Sequence, residues 1–186
     1  MKKVSNLLFA ATALLAVLAI ESCSNKSNNV TPVKPTLYDS LGGTAMVNDP
    51  TKPGTMIEKG RLGIRSVIDS TIFVIAGDTR INGHFTVLLA EVTKGDLSGF
   101  TELSDNLTTF VAVGTGAKHY TYTGMSMTEA HDPAKNSRMN GKASSADFDA
   151  FVDDLVKGAN KNGLPANLLG SVGKIVVSLK AQVVQK

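Results

Sequence analysis

The chain has 186 residues, a net charge of +3 at pH 7 and a single cysteine. This length suits one domain of ordinary size with an N-terminal extension. The small charge, with no basic block beyond the N-terminus, argues against nucleic acid as a partner, and one cysteine excludes an internal disulfide.

The N-terminus has the pattern of a secretory signal. Lys2 and Lys3 precede an apolar run, residues 7–20, which is shorter than the roughly 20 residues that span a bilayer. Cys23 follows closely, as in the lipobox of bacterial lipoproteins, where the cysteine thiol is acylated and becomes the new N-terminus. We therefore predict a lipoprotein signal over residues 1–22 and lipidation at Cys23. The alternative is a leftover cysteine in an ordinarily cleaved signal.

This prediction places the protein outside the cell, anchored by lipid to the bacterial cell envelope, on the periplasmic or surface face of the outer membrane. Residues 23–35 are polar and too poor in apolar side chains to pack. We expect them to form a flexible tether between the lipid and a domain over residues 36–186.

Helical periodicity predominates in this domain. Residues 61–76 place Ile64, Ile68 and Ile72 on one stripe, although their β-branched content also permits a strand. Around residues 104–113, one face carries four apolar residues: Leu103, Leu107, Phe110 and Val111.

Two clearer helices follow. The first can be capped by Ser144 or Ser145, and its apolar stripe runs from Phe148 to Ala159 and includes Val156. Gly163 breaks the chain, and Pro165 opens a last helix that continues to Val183. Segments rich in Gly, Asn, Asp and Pro are expected to be loops: residues 47–54, 93–99 and 132–142. The prediction is an all-α domain with long connections.

The segment Thr36–Gly43, Thr-Leu-Tyr-Asp-Ser-Leu-Gly-Gly, closely resembles the Leu-Tyr-x-x-Leu-Gly-Gly that opens the group 1 truncated haemoglobins. Three later stretches resemble that family in the same order: residues 67–85 its second helix and the following Phe-Phe, residues 122–131 the segment with the proximal histidine, and residues 147–165 its last helix pair. The resemblance covers about residues 36–183. It implies a truncated globin-like, two-on-two helical sandwich with lengthened loops.

The resemblance also implies haem b, with His131 as the protein ligand of the iron. A haem needs an axial nitrogen, and neutral imidazole is the usual choice in globins. Without the resemblance, His131 would read as a solvated loop residue before Asp132. Phe85 aligns with the second Phe of the family motif and is expected to pack on the porphyrin, with Met127 and Phe110 as further contacts.

The other two histidines are expected elsewhere, His84 at the pocket rim and His119 facing solvent. The family commonly has a tyrosine and a glutamine on the gas-binding side. Those positions fall here at Ile72 and at Leu107 or its neighbour Asn106, with Leu103 one turn earlier. An almost wholly apolar wall is therefore expected, with faster O₂ release and easier autoxidation, unless Asn106 supplies a donor.

The resemblance leaves two functions open. One is a lipid-anchored haem protein that binds O₂, NO or CO, as an oxygen carrier, a gas sensor or an NO dioxygenase. The other is a degenerate globin-fold module of the cell envelope without haem, suggested by the apolar wall and by three lengthened connections: residues 47–60, 86–101 and 132–142. A hydrolase is not supported, because no Gly-x-Ser-x-Gly motif is present, and no zinc spacing or nucleotide fingerprint occurs.

Overall fold

The structure, a computed structural model, describes residues 34–186. The predicted signal, the predicted lipidation site Cys23 and most of the predicted tether lie outside these residues. The described part forms eight α-helices, a 3₁₀ turn and two strands: α1 (Leu37–Ser40), β1 (Met46–Asn48), β2 (Met56–Glu58), α2 (Lys59–Gly77), the 3₁₀ turn (Asn82–Phe85), α3 (Thr86–Thr93), α4 (Ser98–Gly114), α5 (Met127–Ala130), α6 (Ser145–Lys161), α7 (Ala166–Ser178) and α8 (Lys180–Val183). The prediction of an all-α domain is confirmed, with one small hairpin in addition.

That hairpin corrects the expectation that the first connection is only a loop. β1 and β2 pair antiparallel, with Val47 opposite Ile57, because β-branched residues on both sides of a turn favour strand pairing. In the turn, the Asp49 carboxylate accepts the Thr51 backbone N–H at 2.9 Å. The same carboxylate binds the Arg65 guanidinium of α2 at 2.7 and 3.1 Å, which fastens the hairpin to that helix.

α2 packs against both α4 and α6. Its β-branched residues form a helix because they recur every three or four positions, which buries one stripe; a strand would instead send alternate residues to opposite faces. Against α6 the two backbones come into direct contact. A Cβ added to Gly158 would collide with the Thr71 hydroxyl and would lie 2.8 Å from the Thr71 backbone nitrogen.

The connection after the 3₁₀ turn, residues 86–101, is expected from the sequence to be a lengthened loop, and this expectation is wrong for most of it, because only residues 94–97 lie outside a helix. Residues 86–93 form α3, since Thr-Val-Leu-Leu-Ala-Glu-Val contains neither Gly nor Pro and buries Leu88. α3 packs on α4, which begins at Ser98.

The C-terminal helices follow the prediction with three refinements. Ser144 caps α6, and its backbone N–H donates to the Asp147 carboxylate at 2.7 Å in a capping box. Val156, predicted in the apolar stripe, is 37% exposed. The last helix is divided into α7 and α8 at Leu179, whose N–H bonds the Val176 carbonyl in a tighter 3₁₀-type contact.

Within residues 34–186, no helix has the length and apolar character needed to cross a membrane. The buried apolar residues form clusters between α2 and α4, between α2 and α6, and around the start of α6. These clusters surround the cavity described next.

Candidate functional site

The residues predicted to form a pocket line one cavity of about 970 Å³. Its wall includes the predicted iron ligand and all six predicted cofactor contacts: His131, Phe85, Met127, Ile72, Leu103, Leu107 and Phe110. Packed protein interiors contain few voids larger than a water molecule. A cavity of this size inside an apolar core therefore has room for a large ligand.

His131 directly follows α5 and lies on the cavity wall. A capping box between Ser126 and Glu129 fixes the start of this short helix. The ring nitrogen Nδ1 is 2.8 Å from the Met127 carbonyl oxygen. Because a carbonyl can only accept, Nδ1 donates, and the neutral ring keeps its lone pair on Nε2. Burial lowers the pKa of His131, which favours this neutral form.

The wall formed by α2 and α4 is mostly apolar. Ile72 is buried, and Leu103 and Leu107 are half-buried on the cavity. Phe110 meets the ring of Tyr122 edge to face, with ring centroids 5.2 Å apart. Four polar side chains interrupt it: Ser66 and Thr71 donate to carbonyl oxygens of their own helix, Glu102 pairs with Arg138, and Asn106 carries the one amide on this wall in the described part of the chain.

The 3₁₀ turn brings Phe85 and His84 to the cavity. Phe85 packs against a buried cluster that includes Ile75 and Ile81. His84 lies on the wall as expected, but both of its ring nitrogens face oxygen atoms. Nδ1 is 2.7 Å from the Asn140 carbonyl oxygen and Nε2 is 3.2 Å from the Asp147 carboxylate.

His119 is 65% exposed, and its Nδ1 contacts the Glu58 carboxylate at 2.6 Å. The other oxygen of Glu58 accepts the Tyr38 hydroxyl at 2.6 Å. Burial, with Glu58 adjacent, raises the pKa of Tyr38 well above its usual range. None of these three residues lines the cavity, so the network braces α1, β2 and the segment after α4.

Several polar residues that line the cavity were not predicted from the sequence, among them Glu102, Asn136 and Arg138. Arg138 belongs to the loop after His131 and reaches Glu102 at 2.6 Å. Such contacts join residues far apart in the chain and carry no periodic signal. In the described part of the chain, no three His, Cys, Asp or Glu side chains are grouped so that they could hold a metal ion.

No protein-family model and no curated protein matches the sequence. Two solved structures that resemble the chain are of the truncated haemoglobin from Tetrahymena pyriformis in the Fe(III) form, one a Tyr-to-Phe mutant and one a Gln-to-Glu mutant. Each is 16% identical to this chain, with a TM-score of 0.57, and the match covers 82% of this chain and 100% of theirs. The fold is that of a truncated haemoglobin. The expected truncated-globin architecture is therefore confirmed, and the cavity lies within that fold.

Proposed function

We propose that this domain binds haem b through His131 and takes up a diatomic gas on the side lined by Ile72, Leu103 and Leu107. The observation that carries the proposal is the state of the His131 ring. Its Nδ1 donates to the Met127 carbonyl oxygen at 2.8 Å, which leaves Nε2 as a metal-binding nitrogen on the cavity wall. Haem-ligating and other metal-ligating imidazoles are commonly fixed by such a contact through the second nitrogen.

The remaining wall fits a haem. A porphyrin is large and mostly apolar, and the cavity has aliphatic side chains with Phe85 and Phe110 among them. The porphyrin occupies four positions of the iron, so one imidazole from the protein is sufficient. The haem carboxylates need water or a cation. The one described lysine or arginine on the wall, Arg138, is already paired with Glu91 and Glu102, so we expect the carboxylates to face water.

Bound haem would supply an iron that takes up O₂, NO or CO. The chain's own residues would then set how long the gas stays. His131 would hold the iron, and the mostly apolar wall would keep water away from the gas while offering it few donors. Asn106 carries the one side-chain amide on that wall in the described part of the chain. We propose oxygen binding or transport, or NO-related chemistry, as the use of this arrangement.

Haem titration of the purified full-length chain tests the proposal. We expect a Soret band that saturates at one equivalent of haem, is lost in His131→Ala, and returns in His131→Gly when imidazole is added. His119→Ala is the matched control, because its exposed ring contacts Glu58 and does not line the cavity. A full-length chain that gives no Soret band with added haem would overturn the proposal and would favour a haem-free cell-envelope module.

We also propose that Cys23 carries a lipid that anchors the protein to the cell envelope. The supporting observation is the sequence itself, an apolar run behind two lysines and followed by the only cysteine. Cells that express the chain and are fed an alkyne-labelled fatty acid should yield a labelled, membrane-associated protein. Cys23→Ser should lose the label, and equal labelling of both proteins would contradict the proposal.

A further inference from the structure

Hydrogen bonds and ion pairs span the rim of the cavity and join two of its walls. We call this chain of contacts the strut, and its members are Ala130, Asn136, Arg138, Glu91 and Glu102. The Asn136 amide donates from Nδ2 to the Ala130 carbonyl oxygen at 2.8 Å, and its Oδ1 accepts the Arg138 backbone N–H at 3.0 Å. That carbonyl belongs to the peptide bond between Ala130 and His131. The strut therefore begins directly beside the proposed iron ligand.

The Arg138 guanidinium forms the other end of the strut. Its Nε donates to the Glu91 carboxylate of α3 at 3.1 and 3.2 Å, and its Nη1 donates to Glu102 of α4 at 2.6 Å. Gly99 of α4 leaves room for this contact, since a Cβ there would collide with a Glu91 carboxylate oxygen and would lie 3.0 Å from Arg138 Nε. Asn136, Arg138 and Glu102 all line the cavity.

α5 needs such support because it is only four residues long. A single helical turn is not stable by itself, so outside contacts must set its direction. The Gln185 side chain donates to the Thr128 carbonyl oxygen near the start of α5 at 2.7 Å. The strut supports the other end, where His131 follows.

We infer that Asn136 and Arg138 are positioning residues for His131, which tie the end of α5 to α4 and so fix the direction in which the imidazole meets the iron. The inference rests on the proposed haem function. It gives the loop over residues 132–142, which the sequence presented only as an insertion, a part in orienting the iron ligand.

Arg138→Gln tests the inference in the haem-loaded full-length chain. We expect a shifted iron–histidine stretching band in the ferrous protein and a haem transfer to a scavenging protein that is about two- to fivefold faster, the size expected for one partly exposed ion-pair network. Arg138→Lys should recover only part of both effects, because an ammonium cannot bridge two carboxylates as a guanidinium fork does. Arg80→Gln is the control, since Arg80 also pairs with more than one carboxylate (Asp78, Asp153 and, at 3.7 Å, Asp154) and lies off the cavity.

The same substitution in a second variant, His131→Gly, distinguishes a positioning role of Arg138 from a general effect on stability. In His131→Gly filled with free imidazole, the iron ligand is no longer attached to Ala130, so Arg138→Gln should leave the iron–imidazole band unchanged. Two outcomes would overturn the inference. In one, Arg138→Gln does not shift the iron–histidine band of the wild type; in the other, it shifts the band equally in the wild type and in His131→Gly with imidazole.

Gly99→Ala provides a variant that retains Arg138 and displaces Glu91, in case Arg138→Gln does not fold. It should shift the same band, whereas Gly170→Ala, at a helical glycine with nothing within 4 Å, should not. An unshifted band in Gly99→Ala would likewise count against the strut. A wild-type chain without a Soret band is a different result, because it would contradict the proposed function itself.

Discussion

His131 leaves one imidazole nitrogen free on the cavity wall, and the wall formed by α2 and α4 carries few hydrogen-bond donors that are not already bonded. His131 presents Nε2 because the Met127 carbonyl oxygen occupies Nδ1. On the wall formed by α2 and α4, Ile72 and Leu107 occupy the positions where the resemblance leads us to expect polar side chains, and both line the cavity. Losing a buried donor forfeits about 1–3 kcal/mol. A gas that becomes partly negative on binding, as O₂ does, is therefore expected to leave quickly.

Leu107→Gln should slow the dissociation of O₂ by adding a hydrogen-bond donor to the wall formed by α2 and α4. We expect the O₂ dissociation rate of the haem-loaded protein to fall by about five- to 150-fold and the CO dissociation rate to change much less, because CO carries little charge. Stopped-flow ligand displacement measures both rates, with Leu107→Met as the control of similar shape. If Asn106 already supplies the donor, Leu107→Gln will have no effect and Asn106→Leu will instead accelerate O₂ loss.

At the scale of elements, α2 sets the shape of the cavity because it packs on both α4 and α6 and contributes Ile72 and Ile75 to the wall. Its helical period could be predicted from the sequence, since the residues predicted for its stripe, Ile64, Ile68 and Ile72, are all buried. The close contact of α2 with α6 could not be predicted, because nothing in a single sequence shows that Gly158 lies against Thr71.

Gly158→Ala should destabilise the domain by about 1–3 kcal/mol, the usual result of overpacking where backbones already touch. Urea unfolding followed by circular dichroism measures the free energy of unfolding. Gly170→Ala in α7 is the matched control and should be neutral or stabilising, since glycine is disfavoured inside a helix and nothing lies within 4 Å of the added Cβ. Equal effects of the two substitutions would contradict the close helix contact.

Asp49→Asn should weaken the attachment of the hairpin to α2, and it should do so in a pH-dependent way. The Arg65 guanidinium holds the pKa of Asp49 well below its usual range, so the carboxylate stabilises the fold above the unfolded-state pKa of about 4 and loses this effect as the pH falls toward the folded-state pKa. The wild type should therefore exceed Asp49→Asn in free energy of unfolding at neutral pH, with a smaller difference near pH 3. A difference that does not change with pH would show that the ion pair contributes nothing.

At the scale of the molecule, the motif that suggested the fold reaches the cavity only through Ser40 and Leu41, and its tyrosine acts elsewhere. In Thr36–Gly43, the Tyr38 ring packs so closely on Gly60 that a Cβ there would lie 2.9 Å from it, and the Tyr38 hydroxyl binds Glu58. The motif thus holds the start of α2. His131 and Phe85 could be placed from the order of such motifs. Arg138 could not, because its partners lie 47 and 36 residues away.

Haem binding should stabilise the whole domain, because a cavity of about 970 Å³ removes packing contacts from the core of every element around it. A ligand that binds only the folded state adds about 2.7 kcal/mol at a free concentration one hundred times its Kd, which for a domain of this size raises Tm by about 5–11 °C. Calorimetry with and without one equivalent of haem measures the shift, and His131→Ala should lose most of it. Gly158→Ala should instead lower both transitions and keep the difference, because it acts on the fold rather than on the ligand. An equal shift in His131→Ala and wild type would mean that the apolar wall alone holds the haem and that the imidazole on it is not the iron ligand.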